Sequence, residues 1–249
     1  MGDIDSAFAS FDLTTARDTE RSALQQRLTL KFLFPAAVLP ELAGELAAGY
    51  TVLPAGEMRS ASYRTLHFDT ADLSFFHAHR CGRRRREKVR IRHYDDRKLS
   101  FFEVKQRVHE LKTVKQRRPH AFGDDRLHDE DFALVRQYTH ARTALFPQVW
   151  TLFRRLTLVN RVDDERVTLD FNLRFTDMHS EIGVPHVAIA EVKQAQLSRL
   201  TPAMIALHRR GFRRGRFSKY CAAIVALHPD VRHNRLLPQL RVMEAIEHE

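Results

Sequence analysis

The sequence predicts an α+β fold, a closed antiparallel β-barrel of about eight strands with helices packed on its outside. Three observations predict it. Short runs alternate charged with apolar residues, several runs follow one another with only a polar turn between them, and helical spacing occurs only between or after the runs. About eight strands can close a barrel around side chains and one slender ligand. The 249 residues, 43% of them apolar and 17 of them Phe, can fill a substantial core.

The first half of the chain reads as one helix and a meander of strands. Residues 27–32 alternate as a strand, and residues 35–48 have helical spacing that begins with Pro35, which is favourable in the first turn of a helix. Alternation returns at 63–69. Three successive antiparallel strands are then predicted, at 86–94, 99–107 and 110–118.

The second half predicts a helix, a hairpin and two further helices. Apolar residues recur at helical spacing over 129–145, and Pro147 ends that stretch. The runs 153–161 and 166–173 flank Asp163-Asp164, which is typical of a hairpin turn. One more strand at 187–193 is followed by predicted helices at 201–209 and 219–228.

The chain divides into one domain with two short ends. Residues 1–22 are polar and aperiodic, and we expect them to be a mobile leader. Residues 23–228 contain no repeat, Gly-rich linker or low-complexity segment, so they are predicted to form a single domain. Residues 229–249 are set apart as a C-terminal tail.

Composition indicates a polyanionic partner and a reducing environment. The formal charge is +10 and the pI is about 10.0, which suits a nucleic acid, an anionic membrane surface or a phosphorylated small molecule. Cys81 and Cys221 are far apart in the sequence, so a disulfide framework is not expected and a cytoplasmic location fits best. Since Pro40 and Glu41 interrupt the most apolar stretch, no run reaches the roughly 18 to 20 residues that span a bilayer.

Cationic side chains repeat on one parity of the strands. Arg90 and Arg92 lie two apart, so both guanidinium groups can bind oxygens of one anion. Other strands repeat this spacing, with Glu103 and Lys105, Lys115 and Arg117, and Glu191 and Lys193. A solvated sheet face would explain one such pair, but the repetition favours a site for a chain of phosphates.

Two carboxylates occur among these cations. Glu103 and Glu191 lie in matching Glu-Val-Lys tripeptides, and each can either form ion pairs or hold a divalent metal against phosphate. We favour a metal at Glu191, while Asp170 has the weaker claim.

Several other motifs do not support a function. The run Arg83 to Arg86 is expected to be an exposed basic loop, and aromatic residues are not interleaved with the basic ones as RNA-stacking platforms would be. His77, His79 and Cys81 have zinc-like spacing but lack a fourth ligand nearby. The sequence contains no Walker loop, dinucleotide fingerprint or Gly-x-Ser-x-Gly elbow.

The charged motifs, taken in order, resemble one known family. The residues that carry the resemblance are Lys31, Phe68-Asp69-Thr70, Arg90-Ile91-Arg92, Phe102-Glu103-Val104-Lys105, Lys112 to Lys115, Asn160-Arg161, Arg166 to Asp170, Glu191-Val192-Lys193 and Arg216 to Tyr220. Over residues 25 to 225 they are similar to the VTC domain, a member of the triphosphate tunnel metalloenzymes (CYTH-like proteins). That family includes an ATP-dependent polyphosphate polymerase.

The resemblance implies a tunnel of antiparallel strands whose basic lining holds ATP and a growing polyphosphate chain. The implied phosphate-binding residues, with Lys193 added because it shares a face with Glu191, are Lys31, Arg90, Arg92, Lys105, Lys115, Arg161, Arg166, Lys193, Arg216 and Lys219. The set expected to carry catalysis is Arg90, Arg92, Lys115, Arg166 and Glu191. The implied cofactor is Mn²⁺ or Mg²⁺, with Glu191 and Glu103 as the candidate metal ligands.

Two alternative functions stay open within this resemblance. A triphosphatase would release phosphate instead of extending a chain, although Thr29 stands where many tunnel enzymes have a metal-binding glutamate. A non-catalytic polyphosphate-binding module would need only the basic lining. The expected partners are ATP, inorganic polyphosphate or triphosphate, and the sequence argues against nucleic acid.

Overall fold

The fold is α+β and is built on one large antiparallel sheet. In this computed structural model the described residues are 4–15, 28–56, 58–108, 113–141 and 143–248. The strands are β1 (Leu28–Pro35), β2 (Tyr50–Val52), β3 (Ser60–Thr70), β4 (Arg86–Tyr94), β5 (Leu99–Arg107), β6 (Thr113–His120), β7 (Leu145–Asn160), β8 (Glu165–Thr176), β9 (Glu181–Val184) and β10 (Val187–Gln194). The helices are α1 (Ile4–Ala7), α2 (Leu39–Leu46), α3 (Ser74–Arg80), α4 (Asp129–Tyr138), α5 (Pro202–Arg209), α6 (Lys219–Leu227) and α7 (Leu237–His248). Short 3-10 turns lie at Ala36–Val38, Asp95–Arg97 and Asn234–Leu236.

Several sheet neighbours are strands that follow one another along the chain. The order is β1-β10-β8-β7-β3-β4-β5-β6, while β2 pairs with β7 and β9 pairs with β8. The pairings β3–β4, β4–β5, β5–β6 and β7–β8 each join consecutive long strands, which confirms the predicted meander and hairpin. The face that carries Lys31, Arg90 and Glu191 is called the inner face below.

The sheet curls around its inner face. Strands β10 and β5 are five positions apart, about 24 Å in a flat sheet, yet Lys105 on β5 acts on the pKa of Glu191 on β10. Lys31 on β1 and Lys88 on β4 are equally distant in the order, yet their ammonium groups donate to the adjacent residues Phe217 and Ser218. Charges affect one another strongly only within roughly 10 Å, and hydrogen bonds are shorter still. Strands that are distant in the sheet order must therefore approach one another, which makes the inner face concave.

In the described part of the chain the curled sheet does not close, because its edge strands β1 and β6 are not paired with each other. Arg214 bridges to Phe32, and the Gly215 N–H donates to the Lys31 carbonyl, so this segment occupies the outer edge of β1. Pro119 removes one N–H donor from β6. The structure therefore confirms the large antiparallel sheet, but the sheet is ten-stranded and open, whereas we expected a closed barrel of about eight strands.

Apolar residues cover the outer face and also one end of the inner face. On the outer face, one cluster includes Phe32 and Leu169 beneath α2 and α5, and another includes Phe102 beneath α4. A third cluster joins Phe153 and Leu173 to helices α6 and α7. Not every helix therefore packs outside, because α6 lies against the same sheet face as the cations.

The ends of the chain differ from the expectations. Within the expected mobile leader, residues 4–15 pack on the core, with Phe8 fully buried and Phe11 nearly so. Ile4 lies in α1, and Phe8 and Phe11 lie in the turns that follow it, and all three pack in the first cluster. Within the expected C-terminal tail, α7 buries Leu240 against the third cluster.

Helix α4 ends earlier than its spacing predicts. It stops at Tyr138, and β7 begins at Leu145, so the predicted helix over 129–145 is wrong in its second half. Pro147 lies within β7, where it faces Phe68 beside a shift in the β3–β7 register. That irregularity lets a strand accept a residue without an N–H.

No described helix is both long and apolar enough to cross a membrane.

Candidate phosphate-binding site

Strand register brings the predicted cations together on the inner face. Lys31 lies opposite Glu191, and Lys193 lies opposite Arg166. On the other side of the curl, Arg90 lies opposite Glu103, which in turn faces Arg117. Since paired residues point to the same face, a single parity carries these charges across the sheet.

Three lysines form a row across neighbouring strands. Lys88 faces Lys105, and Lys105 faces Lys115. Like charges directly opposite each other destabilise a sheet, so this lysine row requires an anion or a loss of protons. Burial lowers the pKa of Lys88 to about 7, and the nearby cations of Lys31 and Lys105 act in the same direction.

Glu103 is the buried anion beside this lysine row. Its side chain is 1% exposed, and its Oε2 accepts from the Arg90 Nε at 2.7 Å. Lys115 contacts its other oxygen, and the Arg92 guanidinium lies 4.0 Å from Oε2. Burial raises the pKa of Glu103, but Arg90, Arg92 and Lys115 outweigh burial and hold that pKa well below its ordinary value. Glu103 is therefore ionised and orients three predicted phosphate-binding cations.

Asp170 performs the same role on β8. Arg155 binds it through two parallel hydrogen bonds, Nε to Oδ1 at 2.5 Å and Nη2 to Oδ2 at 2.7 Å, and Lys219 contacts the same carboxylate. Burial raises the pKa of Asp170, yet Arg155 and Lys219 hold it well below its ordinary value. Burial lowers the pKa of Lys219 to about 8 despite this partner.

Glu191 is less closely held than the other two carboxylates. Its oxygens lie 3.4 Å from the Lys193 Nζ and 3.9 Å from the Lys31 Nζ, and its side chain is 21% exposed. Burial raises the pKa of Glu191, but Lys31, Lys193 and Arg155 hold it well below its ordinary value. An ionised carboxylate with loose cation contacts can exchange those contacts for a metal ion.

The residues fit a divalent metal that completes its coordination from substrate. Among the described residues, no three metal-ligating side chains converge on the inner face. Mg²⁺ commonly binds through one or two carboxylates together with phosphates and water, and Glu191 can supply the one carboxylate. Glu103 is enclosed by Arg90, Arg92 and Lys115. Its role as a second metal ligand stays a prediction.

The start of helix α6 connects the two walls of the inner face. Lys31 of β1 donates to the Phe217 carbonyl at 2.9 Å, and Lys88 of β4 donates to the Ser218 Oγ at 2.7 Å. Ser218 also caps α6 by accepting from the Cys221 N–H. Tyr220 donates to the buried carboxylate of Asp69 on β3. This turn therefore fixes Lys219 at the site and links strands that are distant in the sheet.

The remaining predicted residues lie at different depths. The Arg92 Nε donates to Thr65, and its guanidinium lies 5.4 Å from the Tyr63 ring centroid. Arg216 is exposed. Burial lowers the pKa of Arg86, and the nearby cations of Arg107 and Arg216 lower it further, so Arg216 lies with these two arginines at the rim of the site. Arg161 follows the end of β7 and pairs with Asp12 at 2.6 Å. Its role in phosphate binding stays a prediction. Lys112, part of the resemblance, lies outside the described residues.

Two cations of the site, Lys88 and Arg155, were not among the residues predicted to bind phosphate. Lys88 has the parity of Arg90 and Arg92, so the alternation places it on the charged face, although it was not named as a phosphate-binding residue. Arg155 follows Arg154, and the β7–β8 register shifts between Leu152 and Arg154. Parity counted from the start of β7 therefore could not decide which of the two arginines faces inward.

Comparisons with known proteins identify the family and similar folds. The sequence matches the VTC domain family over residues 26–228. A candidate adenylate cyclase from Bacillus halodurans has a similar fold, with a TM-score of 0.52 at 12% identity over 78% of this chain and 94% of that one. A candidate adenylyl cyclase from Hippeastrum, described as having a dominant triphosphatase activity, gives 0.47 at 14% identity over 80% and 95%. No curated protein sequence matches the chain. Because the family match spans most of the chain, the protein belongs to the VTC domain family.

Proposed function

We propose that this protein is a metal-dependent polyphosphate polymerase, which transfers the γ-phosphoryl group of ATP to the end of an inorganic polyphosphate chain. The observation that carries the proposal is the lysine row on a concave face that also holds Arg90 and Arg166. A linear chain of phosphates supplies one anion after another along such a surface.

Phosphoryl transfer suits a site with many cations and few nucleophiles. The terminal phosphate of the chain is already ionised, so it attacks the γ-phosphorus without a general base. A new P–O bond forms at the chain end, the bond between the γ-phosphorus and its bridging oxygen breaks, and ADP leaves with that oxygen. The cations hold both phosphate groups in line and stabilise the charge on the transferred group.

Different residues would serve the two substrates. Arg90, Arg92 and Lys115 are oriented by Glu103 and would bind the ATP phosphates. Lys31, Arg166 and Lys193 face them across the curl and would hold the polyphosphate end. Binding of a polyanion would also draw the two edges together, which we propose closes the tunnel.

Glu191 would hold the metal ion. Mn²⁺ or Mg²⁺ bound there would neutralise charge on the triphosphate. Thr29 lies opposite Lys193, at the position where many tunnel enzymes have a further glutamate. With a single loosely held carboxylate in the described site, this arrangement favours chain extension over multi-metal hydrolysis.

A non-catalytic polyphosphate-binding module is the second candidate. The specific observation in its favour is that Glu103, Asp170 and Glu191 all contact cations, so each can be explained without a metal.

Incubation with ATP and Mn²⁺ separates these functions. Long chains that stain on a gel support the polymerase, free phosphate alone would indicate a triphosphatase, and neither product would indicate a binding module. Arg90→Ala should abolish the chains, while Arg174→Ala is a matched control because Arg174 is exposed and pairs with Glu181 on the surface.

A further inference from the structure

A second group of metal-ligating side chains lies on the outer face of the sheet. His120 ends β6, and Asp124 and His128 lie in the connection to α4. One ligating atom from each of the three lies within 4.8 Å of the other two. Arg117, three residues before His120, faces Glu103 on the inner face, so His120 has the opposite parity. The group is therefore separate from the phosphate-binding site.

His120 is buried in a way that indicates a ligand. Its side chain is 2% exposed, and its Nε2 has no hydrogen-bond partner among the residues that the structure describes. Buried polar atoms almost always have a partner, so this nitrogen needs an explanation. The other ring nitrogen, Nδ1, faces the fully buried Asp131 carboxylate at 3.4 Å. A carboxylate behind one imidazole nitrogen is the usual support for a histidine whose other nitrogen binds a metal.

The contacts of the neighbouring groups indicate which atoms of Asp124 and His128 can be ligands. The Asp124 Oδ1 accepts from the Arg126 N–H at 2.9 Å, so its Oδ2 is the oxygen that can bind a metal together with the His128 Nε2. Asp125 of the same connection is engaged by His93 at 3.0 Å, and Asp131 accepts from Arg118 at 2.9 Å. Asp124 and His128 contact each other at 2.7 Å between Oδ2 and Nε2. A proton shared by these two atoms occupies the place that a metal ion would take.

From these contacts we propose that His120, Asp124 and His128 form a zinc site. Two imidazoles and one carboxylate are a donor set that Zn²⁺ accepts readily, with water as a fourth ligand. A tetrahedral ion with bonds of about 2.0 to 2.1 Å places its ligands roughly 3.4 Å apart. Asp124 and His128, now 2.7 Å apart, would separate slightly to admit the ion, and the other distances, all within 4.8 Å, would shorten. Mg²⁺ prefers oxygen ligands, so this site and Glu191 would select different metals.

Zinc at this site would fasten an edge of the sheet. His120 ends the edge strand β6, and His128 is the residue that precedes the first turn of α4. Strand β6 presents Lys115 and Arg117 on its inner face. The ion would therefore stiffen the wall that carries part of the lysine row, without contacting substrate.

Metal titration of His128→Gln tests the proposal. His128 is exposed, with 48% of its side chain accessible, so this variant should fold, which circular dichroism verifies. After removal of metal with a chelator, the natural protein should bind one Zn²⁺ per chain. The variant should bind it more weakly by about 100-fold or more, since it loses a direct ligand. Equal affinity in the two proteins would overturn the proposal.

Two further variants and a spectrum locate the ion. His179→Gln, at another exposed histidine, and Glu191→Gln should both keep the affinity of the natural protein. Loss of zinc binding in Glu191→Gln would place the ion on the inner face and refute the outer site. The Co²⁺-substituted protein should lack the intense near-ultraviolet bands of a thiolate ligand, and their presence would assign the metal to Cys81 or Cys221 instead. The result does not depend on catalysis, so it stands apart from the proposed polymerase activity.

Discussion

At the scale of single residues, the carboxylates of the inner face differ in how fully they are enclosed, and Glu191 is the most exposed of Glu103, Asp170 and Glu191. Glu103 and Asp170 are each 1% exposed and bound by several cations, so their charges are committed to orienting arginines and lysines. Glu191 is 21% exposed, with its nearest cation at 3.4 Å. A buried ion pair that loses one partner leaves an uncompensated charge, so replacing Glu103 or Asp170 would disturb the whole site. Glu191 can be changed with less structural effect.

Glu191→Gln should therefore separate binding from turnover. Without the carboxylate, metal-dependent chain synthesis should fall about 100-fold or more, since charge neutralisation by a metal contributes several kcal/mol. Polyphosphate binding should be retained or become tighter, because a negative charge has been removed. The measurements are polyphosphate yield with ATP and Mn²⁺, and affinity by calorimetry. Glu181→Gln, an exposed carboxylate, is the control, and undiminished turnover in Glu191→Gln would remove Glu191 from the mechanism.

The lysine row makes stability depend on pH. Lys88 has a pKa of about 7 in the folded protein and an ordinary value of 10.5. Below pH 7 it is protonated in both states, and the penalty of a buried charge is fully present. Between pH 7 and 10.5 only the unfolded chain keeps the proton, so stability rises with pH in that window.

Lys88→Met should remove this dependence. The melting temperature of the variant minus that of the natural protein should be largest near pH 6 and should shrink by several degrees by pH 9, as measured by calorimetry without phosphate. Lys98→Met, at an exposed lysine in the β4–β5 turn, should give a difference that is constant with pH. If the melting-temperature difference for Lys88→Met were also constant with pH, burial would not be lowering the pKa of Lys88.

At the scale of elements, alternation allowed accurate prediction where one face is charged and the other apolar. Strands β4 and β5 were predicted at their observed bounds because Lys88, Arg90 and Arg92 alternate with Val89 and Ile91. The same alternation located most of the inner-face cations. The position of α6 was not predictable, since its apolar residues suit a helix on either face of a sheet. Its place on the inner face follows from long-range contacts such as Tyr220 with Asp69.

The N-terminal segment provides a test at this scale. Phe8 is fully buried in the cluster beneath α2, while Leu13 is 51% exposed. Phe8→Ala should lower the free energy of unfolding by about 3 to 5 kcal/mol, as expected for loss of a buried aromatic ring, whereas Leu13→Ala should change it by about 0.5 kcal/mol or less. Urea unfolding at neutral pH measures both. Equally small effects would mean that residues 4–15 do not contribute to the core.

At the scale of the whole molecule, the curled sheet concentrates positive charge without closing on it. Two cations about 8 Å apart repel by roughly 2 kcal/mol at an effective dielectric of 20. On the inner face, strand register sets Lys105 opposite both Lys88 and Lys115, and Lys193 opposite Arg166. The protein is therefore expected to be less stable without a bound anion than with one. A linear polyanion would relieve the repulsion along the full length of the face.

Tripolyphosphate or longer polyphosphate should consequently raise the melting temperature strongly. At a free concentration about 100 times the dissociation constant, the gain is about 2.7 kcal/mol, which for a chain of this size is roughly 5 to 10 °C. Sodium chloride at equal ionic strength should give a much smaller shift, because screening by small ions does not bridge neighbouring lysines. Lys105→Ala should reduce the polyphosphate shift, since Lys105 lies between Lys88 and Lys115, while Lys98→Met should leave it unchanged. Scanning calorimetry at pH 7.5 measures all four cases. If salt and polyphosphate stabilised the natural protein equally, the cations would be acting independently rather than as one site, and the phosphate-chain function would be wrong.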